Sequence, residues 1–420
     1  MNFLKYNRAK TLEIMDFSYF VGKKIATSSE KSFTRLIIRL AVAGVALSIA
    51  VMLLAVGVVK GFQNQIRNKV IGFDGHIHIR NLDLNQSREL KLIDFDPQII
   101  NALTKNPEIE TVSPFCIKAG IINTDKEIEG MVFKGVPANY NWSFIKQNLT
   151  KGRLPNLSDS ADTYEFLLSK SVSDKIGVDT GQNLEIYFIH NGKVRRRKMV
   201  LTGIFNTGLG EFDKTICFTD LRVIQRIYTT DYSKVSGYEV WIKNLDSLSP
   251  MTDWVDENIP MNMRAQDIES QHQIIFQWLH IVDSNAIIII VLMGIVSMVN
   301  LITAFLILII DRTQMIGILK ALGAQNRQVL RIFLLKGILM ILPGMIIGNV
   351  LGLGIAFLQT HFGILTLPEE TYYMSVVPVM ISWKHFVLIN LGSLTISILI
   401  MFLPGVLVKF ISPVKAIRFD

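Results

Sequence analysis

Charge is what this chain leaves out. Of its 420 residues only 19% are Asp, Glu, Lys or Arg, whereas 50% are hydrophobic and the mean hydropathy is +0.37. The deficit is concentrated in four windows that carry no charge at all: Leu40–Val59 between Arg39 and Lys60, Ser284–Ile310 between Asp283 and Asp311, Gly337–Thr360 between Lys336 and His361, and Phe386–Val408 between His385 and Lys409. A helix of about 20 residues crosses a bilayer's hydrocarbon core. A soluble core helix rarely runs so far without a polar face. Four membrane spans are therefore expected. Their interiors lack the ionisable groups that a proton- or ion-coupled carrier needs, so the energy for any transport comes from elsewhere.

Other absences narrow the field. There is no G-x-x-x-x-G-K-[ST] loop; VGKKIA near residue 22 has a Gly-Lys pair but no glycine at the required spacing, so the chain does not hold ATP in the P-loop manner. No Ser/His/Asp or Cys/His arrangement follows from spacing, and no catalytic residue is assigned. His76 and His78 stand two apart in HIHI without a Cys, His or carboxylate at ligand spacing, and are read as surface histidines of a strand, with no metal site. Asp94 and Asp96 fall at a helix start, where capping accounts for them. Cysteine is scarce: Cys116 and Cys217 lie in apolar strands and read as core thiols, with a pairing left open. No cleavable signal peptide is expected, because the N-terminal stretch is polar and basic and the first apolar run is too long and too distant. Internal repeats, low-complexity segments and nucleic-acid modules are lacking too.

The net charge of +8 is a topology signal. Lys5, Arg8, Lys10, Lys23, Lys24, Lys31, Arg35 and Arg39 precede the first window; Arg312, Lys320, Arg327, Arg331 and Lys336 lie between the second and third; Lys409, Lys415 and Arg418 follow the fourth. The loop between the third and fourth has no Lys or Arg before Lys384 and carries Glu369 and Glu370. Positive charge stays inside, so both termini and the Asp311–Lys336 loop are placed in the cytoplasm.

What remains, residues 61–281, is large enough to be a folded domain outside the membrane. HIHIRNL alternates as a strand; a helix is expected from Pro97 to before Pro107, then a strand over Ile109–Phe115 and another in IEGMVFKGVP. A helix ends at Gly177, and NLEIYFIHNGKVRRRKMVLTGIF is a hairpin turning at Asn191-Gly192. TICFTDLRVIQRIY reads as strand then helix, GYEVWIKN as a strand, and ESQHQIIFQWLHIVDSN as a helix running directly into the second span. The domain is α+β.

Between the second and third spans lies DRTQMIGILKALGAQNRQVLRIF. Asp311 is expected to cap a helix over Arg312–Leu322 and Gly323 to end it. Met315, Ile318, Leu319 and Leu322 make an apolar stripe, with Arg312, Gln314 and Lys320 polar. Such a helix either lies on the bilayer or docks in a groove of a partner. In the third span Gly344, Gly348 and Gly352 repeat every fourth residue, the pattern that lets helix backbones approach.

DRTQMIGILKALGA resembles the coupling-helix signature of the FtsX-like, MacB-type permeases of ABC transporters. RLAVAGVALSIAVMLLAVGVVKGFQNQI is similar to the first span and stalk of the lipoprotein-releasing (Lol-type) members, HIHI to their first outer strand, and FNTGLGEFDKTICF to the segment after their second outer hairpin. ESQHQIIFQWLHIVDSNAIIIIVLMGIVSMVNLITAFLILIIDR resembles their descending stalk and second span, and LPEETYYMSVVPV and SPVKAIRFD their C-terminal end. The resemblance covers nearly the whole chain. It implies an α-helical membrane protein with four transmembrane helices and a large α+β periplasmic domain, MacB-like with porter and inserted lobes, between the first two. The implied boundaries are a cytoplasmic N-terminal elbow (1–35), spans at 36–60, 282–310, 327–358 and 385–409, the periplasmic domain (61–281, inserted lobe about 139–234), a coupling helix (311–326), a periplasmic loop (359–384) and a cytoplasmic tail (410–420).

The resemblance further implies a non-catalytic subunit of the bacterial inner membrane. It would pair with a second copy or a paralogue and with two copies of a stand-alone ATPase that holds ATP and Mg, while this chain binds no cofactor. The coupling helix would offer Arg312, Gln314, Met315, Ile318, Leu319, Lys320, Leu322 and Gly323 to the ATPase. The work implied is extraction of lipoproteins from the outer leaflet, with hand-over to a periplasmic carrier. Acyl chains would enter a V-shaped cavity between the first and second spans of the two subunits, near the periplasmic surface. To it the outer end of the first span offers Met52, Leu53, Val56 and Phe62 and the outer half of the second Ile289, Met293 and Val296; methionine suits such a lining because it is flexible and polarizable. One departure stands out: where related permeases carry a longer carrier hook, this chain has the tight basic hairpin FIHNGKVRRRKM with Arg195, Arg196 and Arg197 in a row. Two alternatives share the family: a mechanotransmitting permease that controls a cell-wall hydrolase, normally with a smaller outer domain, and a MacB-like exporter, normally fused to its ATPase. A membrane-anchored sensor would not need the coupling helix.

Overall fold

The computed structural model describes residues 32–82, 91–158, 160–230, 232–368, 372 and 374–406. The basic N-terminal residues up to Lys31, Glu369, Glu370, Lys409 and the tail 410–420 lie outside the described residues, as does most of the expected elbow. The chain divides into a helical unit (residues up to Phe62, Leu279–Leu365 and from Val377) and an α+β unit (Gln63–Trp278 with Thr366–Val376).

Among the described residues four helices are long and apolar enough to cross a membrane: Ser32–Asp74, Gln273–Asp311, Asn326–Phe362 and Trp383–Gly405. The first three each contain one of the uncharged windows and the fourth covers Phe386–Gly405 of the last, while the first two continue well past the charge that bounds theirs. In hydrocarbon no water can satisfy a broken backbone, so an unbroken ladder is the low-energy choice. Within the helical unit the first helix contributes Ala41, Val45, Ile49, Met52, Leu53 and Val56 to a core shared with Leu301, Phe305 and Leu308 of the second, Phe333 and Ile341 of the third, and Ile389 and Met401 of the fourth.

Small residues decide how close these helices come. Gly344, Gly348 and Gly352 are buried against the first helix: a Cβ at Gly344 would stand 3.0 Å from the carbonyl oxygen of Val42, at Gly348 2.6 Å from that of Ala46, and at Gly352 3.2 Å from Cα of Ala50. Ala46 and Ala50, themselves four apart, complete the small-residue seam. The third and fourth helices are joined by a reciprocal amide pair, Asn349 Nδ2 to Asn390 Oδ1 at 2.7 Å and Asn390 Nδ2 to Asn349 Oδ1 at 3.0 Å. The segment before the fourth helix closes on the first, where Met380 N donates to Gly57 O at 2.8 Å.

The α+β unit is built on one mixed sheet. Its strands are β1 (Ile77–Asn81), β3 (Ile109–Asn123), β4 (Ile128–Val136), β5 (Leu149–Gly152), β6 (Glu165–Ser169), β7 (Asn183–His190), β8 (Lys193–Phe205), β9 (Ile216–Asp220), β11 (Gly237–Ile242) and β12 (Met263–Asp267). β2 (Ile93–Asp94) and β10 (Lys234–Val235) form a separate two-stranded pair. The sheet runs β12-β1-β11-β3-β4-β9-β6-β8-β5, with β7 pairing both β3 and β8. β3 is its spine: Ile109–Phe115 pair with β11 and Cys116–Asn123 with β4. The strands of residues 139–234 therefore extend the sheet that β3 and β4 begin.

Local signals set the ends. Asp96 accepts from Gln98 N at 2.8 Å and starts the helix Pro97–Leu103. Gly177, at φ +70°, ends the helix Lys170–Ile176 in the left-handed conformation that glycine adopts without a Cβ penalty. Asn191 and Gly192, at φ +51° and +71°, make the two-residue turn between β7 and β8. Cys116 on β3 and Cys217 on β9 are buried free thiols, and burial pushes Cys116 up to about 12.

Replacing Gly348 by Leu places a side chain where Ala46 leaves no room, and overpacking of this kind costs roughly 1–3 kcal/mol. The variant is expected to melt earlier in detergent than wild type, whereas Gly354→Leu, whose Cβ meets nothing within 4 Å, is expected to melt with wild type.

Candidate functional site

The short helix between the second and third long helices spans Thr313–Ala321. Asp311 does not cap it; that residue is the last of Gln273–Asp311, and Arg312 stands at the cap position without a side-chain cap bond. The reason is local. The ladder breaks for a single residue and resumes with Ile316 N on Arg312 O at 3.0 Å, leaving no extended residue to hold a capping carboxylate. At the other end Gly323 has φ +94° and Ala324 N bonds Leu319 O at 2.9 Å, as expected of a left-handed terminus. The stripe is divided. Ile316, absent from the expected set, is fully buried in the helical core with Gly317, and Met315 and Leu319 are partly covered. Ile318 (48% exposed) and Leu322 (81%) project freely, one turn apart, with Gln314 exposed and Arg312 and Lys320 partly covered. The short helix thus presents an exposed apolar pair on one side while its other face is packed into the helical core.

The four long helices enclose a cavity of about 500 Å³. The first lines it with Val45, Ile49, Met52, Val56 and Val59, residues on one helical face, and the fourth with Leu388, Ile389, Ile396 and Ile400. Ser48, Ser297, Ser393 and Ser397 dot the wall, and at one end Lys60 and Asp283 form an ion pair at 3.0 Å beside His385. Of the seven residues expected to line an acyl path, Met52 and Val56 line this cavity. Leu53 is fully buried in the glycine seam, its Cδ1 3.3 Å from where Gly352 would carry a Cβ. Phe62 is buried off the cavity wall, Met293 packs partly buried beside the core, and Ile289 and Val296 are exposed. The second helix turns a different face to the cavity: Asp283, Ala286, Ile287, Ile290, Gly294, Ser297 and Met298. Ile287, Ile290 and Met298 meet the cavity beside three small residues, Ala286, Gly294 and Ser297, which leave the room that it occupies. That run of small residues was the signal to follow.

In the α+β unit the two histidines prove to be buried, correcting their reading as surface residues. The HIHI pattern looks half-exposed, but β1 lies between β11 and β12, and the end of the first long helix covers it. His76 Nδ1 accepts from Ile242 N at 3.2 Å, and burial lowers it to about 4. His78 bonds the carbonyl of Asp74, receives Arg80 at 2.7 Å, and is held well below the ordinary imidazole range by burial and by the neighbouring Arg80. Asp74, His78 and Glu239 bring potential metal-ligand atoms within 4.8 Å of one another. The chain supplies its own cation there. Lys134 Nζ lies 2.5 Å from Glu239, 3.2 Å from Asp74 and 2.5 Å from the Phe73 carbonyl. Burial would lower Lys134, but Glu239, Tyr140 and Asp74 outweigh it and hold the ammonium charged. Burial likewise would raise Asp74, yet Lys134 and His272 keep it well below the usual carboxylate range; Glu239 is pushed up to about 7 by burial against the pull of Lys134.

The MacB-like periplasmic core domain family matches residues 40–255, and the FtsX-like permease C-terminal family matches residues 287–413. Among curated proteins, the lipoprotein-releasing system transmembrane protein LolC of Xylella fastidiosa is 21% identical over 393 residues, covering 90% of this chain and 92% of its own. LolC of Neisseria meningitidis serogroup B is 19% identical over 424 residues (96% and 99%), and LolE of Haemophilus influenzae 21% over 419 residues (93% and 96%).

His76 generates a pH prediction. Its folded value lies below its unfolded one, so its contribution to stability is complete above pH 6.5 and is lost as pH falls toward about 4, by roughly 3 kcal/mol. Glu239 works in the opposite sense, gaining as pH falls through about 7. His76→Asn keeps an acceptor for Ile242 N and removes the titration. The thermal midpoint of the variant is expected to fall less than that of wild type between pH 7 and pH 4, and equal falls would count against the assignment.

Proposed function

The chain belongs to the family of MacB-like, FtsX-like permeases, and on that premise we propose that it is the membrane subunit of an ATP-driven transporter that extracts lipoproteins from the inner membrane. The observation that carries the reading is end-to-end similarity to permeases named for lipoprotein release. It spans both the membrane helices and the α+β unit, so no part of the chain is left to serve a different design. The mechanotransmitting and exporter alternatives gain no support from those relatives.

In this reading the subunit performs no chemistry. ATP and Mg sit on a stand-alone ATPase, two copies per complex, and a second permease, identical or paralogous, completes the dimer. Both termini face the cytoplasm and the α+β unit the periplasm. The ATPase grips Ile318 and Leu322 in a groove, flanked by Arg312, Gln314 and Lys320, and its closure moves the long helices whose ends the short helix joins. Burial of Ile316 makes that grip effective, since a helix anchored in the membrane core passes on a push that a loosely attached one would absorb. The cavity, apolar along its walls with a charged rim at Lys60 and Asp283, suits an amphiphile whose acyl portion leaves lipid, each buried CH₂ being worth about 0.8 kcal/mol. A periplasmic carrier receives the product. The basic hairpin at Arg195–Arg197 is too tight to hook one in the manner of related permeases, so the carrier meets another surface or the partner permease.

Two experiments test the reading. Photo-crosslinkers at Val56 and Ile290, both on the cavity wall, are expected to trap lipoprotein in ATP-free membranes and to lose the adduct when ATP is supplied. Adducts to phospholipid alone would overturn cargo handling. Leu322→Asp places a charge in the docking groove at a cost of several kcal/mol, on the order of 2–5, and should abolish co-purification of the ATPase while the permease still inserts. Unchanged co-purification would rule out the short helix as the handle.

A further inference from the structure

One carboxylate gathers the ends of both long helices that enter the α+β unit. Asp74 is the last residue of Ser32–Asp74. Its Oδ1 lies 3.2 Å from Lys134 Nζ, and its Oδ2 lies 3.0 Å from Nε2 of His272, the residue immediately before the helix Gln273–Asp311. Lys134 is on β4 and Glu239, its second carboxylate, is on β11, the two strands that flank the spine β3. His78 on the next strand, β1, holds the Asp74 carbonyl, and Arg80 and Tyr140 close the cluster against His78 and Glu239. One turn or two from the ends, Arg67 of the first helix and Glu269 pair at 3.1 Å.

We propose that the Asp74–Lys134–Glu239 cluster, with His272, is the joint that converts movement of the two long helices into movement of the sheet, making these residues positioning residues for ATP-driven release. The inference rests on the lipoprotein-release reading and adds a site to it.

Chemistry favours this over a plain core. Packing is non-directional, and an apolar contact between a helix end and a sheet can roll or slide at little cost. Charge-assisted hydrogen bonds are short and angular, and they fix orientation as well as distance. The adjoining residue supplies the apolar half of the socket. Phe73 stacks on Phe212 and Phe218 at 5.2 and 5.9 Å and meets Phe144 and Phe205 edge-on. That aromatic cage already holds the helix end in the core, so adhesion does not require the charges. Buried ion pairs are weak contributors to stability and are often replaceable by apolar residues without loss. What they add here is a fixed angle between two helix ends and the strands β1, β11 and β4 of the sheet.

The test uses the complete complex with its ATPase and lipoprotein in nanodiscs. Asp74→Asn/Lys134→Met/Glu239→Gln removes all three charges together and leaves Arg80 as the remaining permanent charge of the cluster. Its ATP hydrolysis is expected to stay within about twofold of wild type while lipoprotein released per ATP falls about tenfold. A fluorophore on Met261→Cys, a fully exposed position in a chain whose native thiols are buried, reports motion independently of cargo through energy transfer to a lipid-borne acceptor. Its ATP-dependent change is expected to disappear in the triple variant. His272→Ala, at the partly exposed edge of the cluster, is expected to lower release per ATP about threefold. Should the triple variant fail to fold, His272→Ala decides. Wild-type release per ATP together with a wild-type energy-transfer change, in a folded variant, overturns the joint. A wild-type complex that hydrolyses ATP but releases no lipoprotein overturns the release reading instead, and the energy-transfer change still judges the joint.

Discussion

A backbone in hydrocarbon has to satisfy its own hydrogen bonds, and this constraint shapes more of the molecule than any side-chain contact. It makes the spans helical, and once a helix has formed there is little reason to end it at the membrane surface. Ser32–Asp74 and Gln273–Asp311 accordingly run past Lys60 and Asp283 as 43- and 39-residue elements contributing to both units. Much of the remaining structure packs around these two helices: the glycine seam along the first, the short helix after the second, and the aromatic and charged contacts where their ends meet the sheet.

Much of this was legible in the sequence because the signals are local. Uncharged windows announce spans; Asp96 before Pro97, Gly177 after a periodic run and Asn191-Gly192 between alternating segments each determine a backbone conformation through their own covalent geometry. The glycines Gly344, Gly348 and Gly352 indicated close approach, though not that the first helix would be the partner. Non-local features stayed hidden. Asp311 is a good cap in isolation, but the second helix annexed it. His76 and His78 alternate as surface residues do, yet pairing of β1 on both edges, with a helix end above it, puts them inside. A period of two says which residues share a face; it does not say whether both faces are covered.

The second helix shows the same limit in another form. Its uncharged window is apolar all round, so no moment identifies the face that meets its neighbours. Small residues carry the information, and their meaning depends on what lies opposite. Gly348 faces Ala46 and becomes a contact; Gly294 and Gly392 face the open space among the helices and become part of a cavity wall, where an added Cβ would meet nothing within 4 Å. Identical residues thus produce close contact and open space in one helical unit. Only the third dimension separates the two.

The charged socket follows a similar logic at higher cost. Two carboxylates and one imidazole converge where many proteins would place a divalent ion, and here a lysine ammonium bonds both carboxylates. A bound ion would grip as firmly but exchanges with solution and has no preferred strand. Lys134 is covalently part of β4, so any displacement of Asp74 is delivered to one fixed point of the sheet. The two carboxylates share that ammonium unequally. Asp74, at the helix end, stays ionised because Lys134 and His272 both stabilise its charge; Glu239, on β11, is raised to about 7 by burial against the pull of Lys134. The shorter contact, 2.5 Å, ties Lys134 to Glu239 and so β4 to β11, and the 3.2 Å contact brings the helix end onto the same ammonium, which is thereby fixed between strands that backbone hydrogen bonds through β3 already hold together.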